Sequence, residues 1–175
     1  EGTNQFSSFY DHFPRHYVNN GTNYLSQARN GNYNIHIHNL GQHTNFYNTY
    51  FPCSINLIVN PPGDHTKVFN NVEFFTVLEK ITPLGTTDEY NETFTSIEYN
   101  NEYQSTGVEN LTPDVNLRRR MRTWRTAIPR DIDGSNSRMR NPYMHMDLVY
   151  NNVDNLIDKR IIIHDISTHY IDVPM

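Results

Sequence analysis

The chain has 175 residues, 36% of them hydrophobic and 13% aromatic, and a formal net charge of −5. This length suffices for one folded domain, and the frequent aromatic residues and small net charge exclude an intrinsically disordered chain. A single cysteine, Cys53, excludes an internal disulfide framework and a cysteine-based zinc site. No apolar run approaches the roughly 18 residues of a membrane span, so we expect no membrane span.

Residues 1–34 are predicted to form an aromatic arm interrupted by turns. The Asn-Gly dipeptides at 20–21 and 30–31 are strong hairpin signals, because both residue types can take the positive φ of a tight turn. The short strands predicted in this arm lie around Tyr17, Tyr24 and Tyr33. We therefore divide the chain into an aromatic, turn-rich N-terminal arm, 1–34, and an antiparallel β domain, 35–175.

The first part of the β domain contains strands separated by turns. Apolar and β-branched residues alternate with polar ones or form short continuous runs, as expected of half-buried and buried strands. The strands predicted before residue 105 are Ile35–His38, Cys53–Asn60, Lys67–Glu79 with a bulge at residues 70–71, and Thr93–Gln104. Prolines at 61 and 62 end the second of these, because proline cannot donate to a central ladder. Residues 81–91 are predicted to be a loop, and residues 107–114 a connection.

The segment from residue 117 to 150 contains eight of the 14 basic residues and the only tryptophan, Trp124. We predict an extended run at Arg118–Ile128 and a strand at Tyr143–Tyr150, joined by a long polar loop. Alternation in the first run places Trp124, Thr126 and Ile128 on one side. In the second strand it places the apolar residues on one face: Met144, Met146, Leu148 and Tyr150.

A last strand is predicted at Arg160–Val173. Alternation assigns five of its residues to one face: Ile162, His164, Ile166, Thr168 and Tyr170. No helical stripe is longer than two turns. About eight or nine strands separated by turn signals predict an all-β, mainly antiparallel domain, sandwich-like or barrel-like, with long polar loops and little helix.

Three interpretations of the arginine-rich segment are open. The arginines can form a solvated strand face, since their stems cover apolar neighbours while the charge stays hydrated. They can form a protein contact surface, because Arg and Trp are enriched at interface hot spots. A basic stripe with aromatic residues is also typical of a nucleic-acid groove. The overall charge argues against the third interpretation, because residues 1–110 carry 4 basic and 11 acidic side chains.

The sequence contains no specific signal of an enzyme. His36 and His38 would point to one side of a strand, which is a workable pair of metal ligands. A third ligand could come from His43 or His65, but no metal-binding spacing such as H-E-x-x-H is present. Cys53 lies in an apolar run, which favours a buried thiol over a nucleophile. We therefore predict no catalytic residue, no metal site and no cofactor.

Several phrases of the sequence, taken in order, resemble one protein family. They are SSFYDHFPRHY (7–17), IHIHNLGQHTNFYNTYFPCSINLIVNP (35–61), KVFNNVEFF (67–75), IEYNNEYQSTG (97–107), TWRTAIPRD (123–131) and RMRNPYMHMDLVY (138–150). They are similar to the C-terminal region of the muzzle (nozzle) or tail stabilisation proteins of crAss-like and related short-tailed bacteriophages. None of the phrases is a catalytic motif, so the resemblance rests on their co-occurrence and order.

The resemblance implies a structural protein of the phage tail, assembled in the bacterial host cytoplasm and located in the virion. Copies would form a homo-oligomer around the tail axis, contact other tail proteins and close the distal channel until genome ejection, with transient contact to DNA in the channel. Family members have many hundreds of residues, so we expect this chain to be a processed product or part of a longer one. The predicted interface residues are Arg122, Trp124, Arg125, Arg130, Arg138 and Arg140.

The alternative function is that of a carbohydrate- or receptor-binding β domain of a phage tail or secreted protein. Exposed tyrosine and tryptophan rings would stack on sugar rings, and the many Asn and Asp side chains would form hydrogen bonds with sugar hydroxyl groups. This hypothesis belongs to a different class of function, that of a binding module with an exposed aromatic platform.

Overall fold

The computed structural model of the chain describes residues 13–29, 33–38, 40–61, 65–130, 132, 137–152 and 157–173. These residues contain 15 β-strands and no helix, and every pairing between the strands is antiparallel. The predicted all-β, antiparallel class is therefore confirmed. Within these ranges no helix is long and apolar enough to cross a membrane. The chain divides into two compact units, residues 1–51 and 52–175.

The first unit contains a three-stranded sheet and a small hairpin. Its strands are β1 (Pro14–Asn19), β2 (Tyr24–Ala28), β3 (Ile35–Ile37), β4 (Asn45–Phe46) and β5 (Thr49–Tyr50). The sheet has the order β1-β2-β3, and β4 pairs with β5. The predicted turn at 20–21 connects β1 with β2, and Gly21 has a φ of 91° there. The boundary predicted between residues 34 and 35 lies inside this unit, and the turn predicted at 30–31 lies outside the described residues.

The second unit is built from two antiparallel sheets. Its strands are β6 (Cys53–Val59), β7 (Lys67–Thr82), β8 (Gly85–Glu89), β9 (Ser96–Asn100), β10 (Ser105–Asn110), β11 (Leu117–Arg120), β12 (Thr123–Ala127), β13 (Arg140–Asn141), β14 (Met144–Tyr150) and β15 (Asp158–Asp172). One sheet has the order β10-β9-β14-β6. In the other, β12, β13, β8 and β15 all pair with the central strand β7, and β11 pairs with β12.

One hydrophobic core lies between these two sheets. The predicted face of β14 is confirmed, because the four residues assigned to it are buried: Met144, Met146, Leu148 and Tyr150. The six-stranded sheet contributes Phe69, Val72, Phe74, Leu78, Leu117 and Trp124. Since each sheet gives alternate residues to this core, each also has an outward face on the opposite side.

The central strand β7 has the bulge that the sequence predicts. Tyr170 of β15 is opposite Phe69, but the preceding residue, His169, is opposite Asn71. Asn70 is therefore an extra residue on β7, as expected at residues 70–71. Its carbonyl oxygen accepts a hydrogen bond of 2.9 Å from the backbone N–H of Ile128.

A second bulge changes the face of β15. The register of the pairing shifts between Ile163 and Asp165, so that His164 is an extra residue on β15. Before the bulge Ile161 and Ile163 pack against the core, whereas after it Ile166 does so. The predicted common face from residue 162 to 170 is wrong, because an inserted residue reverses the alternation.

The arginine-rich segment also differs from its prediction. Residues 118–128 do not form one extended run, because Met121 has a φ of 58° and the chain turns there between β11 and β12. β12 and β14 belong to different sheets, so the segment between them leads from one sheet to the other. Part of the polar loop predicted there, residues 133–136, lies outside the described ranges.

Three strand limits are also wrong. The predicted loop at 81–91 contains the end of β7 and all of β8, which form a hairpin around residues 83–84. The predicted strand at 93–104 is reduced to β9, and the predicted connection at 107–114 begins within β10. Pro83 occupies the turn itself, where a missing N–H donor costs no ladder hydrogen bond.

Candidate subunit interface

Alternation along the β11–β12 hairpin divides its arginines into two groups. Leu117 and Trp124 face the core and are buried. Arg118 and Arg125, next to them in sequence, point outward and lie directly opposite each other. Arg119 is opposite Trp124 and therefore lies on the core side of the hairpin. The hairpin carries positive charge both on its outward face and at the margin of the core.

Arg119 covers the edge of the core at this hairpin. Its guanidinium carbon lies 5.4 Å from the ring centroid of Trp124 and 5.9 Å from that of Tyr90. Its Nη1 donates a hydrogen bond of 2.9 Å to Oδ1 of Asn91, and its Nε donates one of 3.0 Å to the carbonyl oxygen of Met121. Cation–π contacts and hydrogen bonds together fix the tip of the hairpin.

Arg122 approaches the same tyrosine from the turn of the hairpin. Its guanidinium carbon lies 5.8 Å from the ring centroid of Tyr90. The Tyr90 hydroxyl donates a hydrogen bond of 2.7 Å to Oδ2 of Asp88. This hydrogen bond is the main cause that raises the pKa of Tyr90, so the phenol stays neutral beside the two arginines.

Arg125 belongs to a polar row that crosses three strands. Its Nε lies 3.5 Å from Oε1 of Glu73, and Nε2 of His169 lies 3.3 Å from the same oxygen. With its amide oriented to accept, Asn71 receives a hydrogen bond of 2.7 Å from Arg125. The Arg125 side chain is 54% exposed, so solvent screens the ion pair. The row therefore orders the outward face without adding much stability.

A second group of arginines lies where β13 pairs with β7. Arg130 and Arg138 form an isolated antiparallel bridge, and Arg140 is opposite Val68. Gln104 holds this backbone: its Nε2 donates a hydrogen bond of 3.0 Å to the carbonyl oxygen of Arg138, and its Oε1 accepts one of 2.7 Å from the N–H of Arg140. All three arginines are exposed. These contacts hold the backbone of the group in place, while its side chains remain exposed.

The structure places the six predicted interface residues in three different settings. Arg122 and Arg125 lie on the hairpin, and the three arginines from 130 to 140 lie in the second group. Trp124 is 3% exposed, so it supports the hairpin from inside the core. Sequence reasoning missed Glu73 and Tyr90, because neither lies in a local motif and both are neighbours of the arginines only through strand pairing. The role of the six predicted residues at a subunit interface stays a prediction.

The histidines considered as metal ligands pack against neighbouring side chains, and the cysteine considered as a nucleophile is partly buried. His36 and His38 lie beside Tyr47, with ring centroids 4.9 and 6.4 Å away, and Nε2 of His38 is 2.5 Å from Oγ of Ser26. Partial burial, and then the neighbouring His36, lower the pKa of His38. Cys53 is partly buried, which raises the pKa of its thiol. Within the described ranges no three side chains form a metal-binding group.

Comparison with known proteins agrees with the resemblance drawn from the sequence. A family model for the C-terminal domain of the Crassvirus muzzle protein matches residues 41–131, which is more than half of the chain. The muzzle protein of Bacteroides phage crAss001 is 32% identical over 133 residues, which are 74% of this chain and 9% of that relative. The chain thus spans less than a tenth of the relative's length. On this match, the chain belongs to the family of Crassvirus muzzle protein C-terminal domains.

Proposed function

We propose that the chain is part of a structural protein of a bacteriophage tail and acts through contacts with other protein subunits. The observation that carries this proposal is its membership of a phage muzzle protein family. Four exposed arginines support it, because the described part of the chain gives their guanidinium groups no ion-pair or hydrogen-bond partner: Arg118, Arg120, Arg138 and Arg140. Arginines in this state are available to a partner.

In its finer form, the proposal concerns the position of the protein in the tail. Several copies would surround the tail axis at the distal end of the tail tube, contact other tail proteins and close the channel until genome ejection. The protein would be assembled in the host cytoplasm and become part of the virion. Exposed arginines that face the channel would contact DNA phosphates transiently during ejection.

Charge reversal in the phage genome tests the role of the second arginine group. Arg138→Glu and Arg140→Glu turn attraction to an acidic partner into repulsion, while the hydrogen bonds of Gln104 use only backbone atoms here. We expect fewer tailed particles by electron microscopy and less of this protein in density-banded particles by mass spectrometry.

The matched control changes two exposed arginines of the first unit, Arg15→Glu and Arg29→Glu, with the same change in net charge. Control particles should assemble normally. Normal assembly and infection by the Arg138/Arg140 variant would contradict a role for these arginines at a subunit boundary. Absence of the wild-type protein from the particles would contradict the structural role itself.

One observation favours carbohydrate binding as a second candidate. The rings of Tyr17 and Tyr24 stack with centroids 5.0 Å apart and are 48% and 45% exposed. Exposed stacked rings of this kind form a platform for the apolar face of a sugar. A glycan array probed with the wild-type chain should then give signals that Tyr17→Ala and Tyr24→Ala abolish. An array without signals would contradict this candidate.

A further inference from the structure

Two carboxylates lie directly opposite each other on the outward face of the four-stranded sheet. Glu98 of β9 is paired with Asp147 of β14, and both alternate with core residues. In the described part of the chain neither has a Lys, Arg or His partner: Glu98 accepts a long hydrogen bond of 3.5 Å from Ser105, and Asp147 accepts one from Asn56. Like charges in directly opposed positions destabilise a sheet.

Exposed apolar side chains lie beside these carboxylates. Val108 of β10 is opposite Glu98 and is 67% exposed. Ile58 of β6 lies two residues from Asn56, the residue paired with Asp147 on that strand, and is 64% exposed. We call this surface the acidic face; it consists of Ile58, Glu98, Val108 and Asp147. Its opposed charges and uncovered apolar groups are both unfavourable in a single solvated copy.

The outward face of the β11–β12 hairpin, at one edge of the six-stranded sheet, carries the opposite charge. Arg118 is directly opposite Arg125, and Arg120 points outward two residues further along β11. Arg125 is paired with Glu73 at 3.5 Å, whereas the guanidinium group of Arg118 has no partner among the residues that the structure describes. We call these three arginines the basic face. Here too, like charges oppose each other across two strands.

The two faces are complementary in position and spacing. Both sheets pack on one core, so their outward faces lie on opposite sides of the second unit. Neighbouring strands are about 4.8 Å apart, so each face presents its two opposed charges at a similar separation. A copy stacked on another, acidic face to basic face, would place each carboxylate beside a guanidinium group.

We propose that the acidic face of one copy of this chain binds the basic face of the next copy, head to tail. Such a heterologous contact repeats from copy to copy and closes into a ring where the rotation allows it. Opposed charges that are unfavourable within one copy become favourable across the contact. The inference rests on the proposed structural role and deepens it by naming the two contacting surfaces.

Other binding partners of these surfaces are less favourable, because none of them neutralises the charges of both faces. A symmetric dimer would place a face against itself and bring four like charges together. DNA would neutralise the basic face but leave Glu98 and Asp147 opposed. A second copy of this chain supplies both complementary charges at once, which is why charge complementarity favours it.

The test uses two variants of the 175-residue chain, each with one charge sign on both faces. Glu98→Lys with Asp147→Lys makes both faces basic, and Arg118→Glu with Arg120→Glu and Arg125→Glu makes both acidic. Sedimentation at low salt should show self-association of the wild type and at least about tenfold weaker association of either variant alone. An equimolar mixture of the two variants should associate again, because acidic and basic faces then alternate between copies.

Controls separate the contact from folding and from net charge. Asp114→Lys with Asp172→Lys gives the same charge change as the acidic-face variant at exposed positions elsewhere, and should associate like the wild type. Glu98→Gln with Asp147→Asn removes repulsion within the copy, so it should raise the melting temperature while weakening association. A role confined to stability of the fold would not produce these opposite changes.

Three results would overturn the contact. They are a wild-type chain that stays monomeric at low salt up to its solubility limit, variants that associate as the wild type does, and a mixture that fails to associate. Binding of duplex DNA by a monomeric chain through Arg118 and Arg125 would assign the basic face to nucleic acid instead. The structural role is tested separately, because it depends on the presence of the protein in particles and not on these charges.

Discussion

The two units of the chain bury their side chains to very different extents. In the first unit, Ser26 is the only buried residue among those that the structure describes. Among the described residues of the second unit, 16 hydrophobic residues are buried, and most of them form one core between two sheets. Both units consist of paired strands, so strand pairing alone does not produce a core. A second sheet packed on the first is what makes the difference.

This difference indicates which interactions stabilise each unit. The first unit exposes large apolar side chains, such as Phe13 at 70% and Tyr33 at 86%. Its buried hydroxyl at Ser26 instead meets the ring nitrogen of His38 and the hydroxyl of Tyr47. We therefore expect the first unit to be sensitive to polar changes and to pH, and the second to be sensitive to loss of apolar volume.

The largest expected effect is the loss of a core aromatic ring in the second unit. Phe74 is 1% exposed, and its ring packs edge-to-face on Phe94 with centroids 5.3 Å apart. Phe74→Ala should lower the free energy of unfolding of this unit by about 3–5 kcal/mol, measured by denaturant titration. The matched change in the first unit, Leu25→Ala at a half-buried position, should cost about 1 kcal/mol or less. Equal costs would contradict the comparison.

A smaller effect is expected when the polar cluster of the first unit is removed. Ser26→Ala deletes both hydrogen bonds of the hydroxyl and leaves His38 and Tyr47 without them. Amide hydrogen exchange in β2 and β3 should become faster, by an amount equivalent to about 1 kcal/mol. Exchange in β7 and β14 should not change. Thr126→Ala, a buried hydroxyl in the second unit, is the matched control, and faster exchange confined to that control would contradict the prediction.

The smallest expected effect is the pH dependence of the first unit. Partial burial and His36 lower the folded-state pKa of His38 below 6.5, while the rings of Tyr17, Tyr24 and Tyr47 lie around it. As the pH falls through 6.5, the unfolded state binds a proton first. The stability that His38 contributes is therefore complete above pH 6.5 and decreases below it.

Amide exchange of β2 and β3 measured from pH 7.5 down to pH 5 checks this sign, after correction for the intrinsic dependence of exchange on pH. His38→Gln should flatten the dependence, and His145→Gln, a histidine on the outward face of the second unit, should leave it unchanged. A first unit that becomes more stable in acid would show that protonated His38 is favoured by the fold.

The sequence predicts the strands well where alternation is regular. β14 alternates apolar and polar residues from Met144 to Leu148, and its buried face is the predicted one. Prediction fails where a single residue changes the geometry without a Gly or Asn signal. Met121 takes a positive φ that its residue type does not favour, and the extra residue His164 reverses the faces of β15. Such positions are determined by pairing with distant strands.

The candidate interface could be predicted only in part for the same reason. The density of arginines between residues 118 and 140 is visible in the sequence, and the resemblance to the muzzle family follows from ordered phrases. The opposition of Glu98 and Asp147, which are 49 residues apart, follows from the order of strands in a sheet and has no local signature. Likewise, the adjacency of Trp124 and Arg125 in the sequence does not show which of them faces the core and which faces outward.

The long ladder between β7 and β15 has a mechanical consequence. The two strands are paired from Asp158 opposite Ile81 to Asp172 opposite Lys67, with one bulge near the middle of the ladder and one near its Lys67 end. A force that slides β15 along β7 loads all rungs of the ladder at once, whereas a force that peels it from one end breaks them one after another. A domain that bears tension along this strand axis would therefore resist extension, while the same domain pulled across it would open at low load.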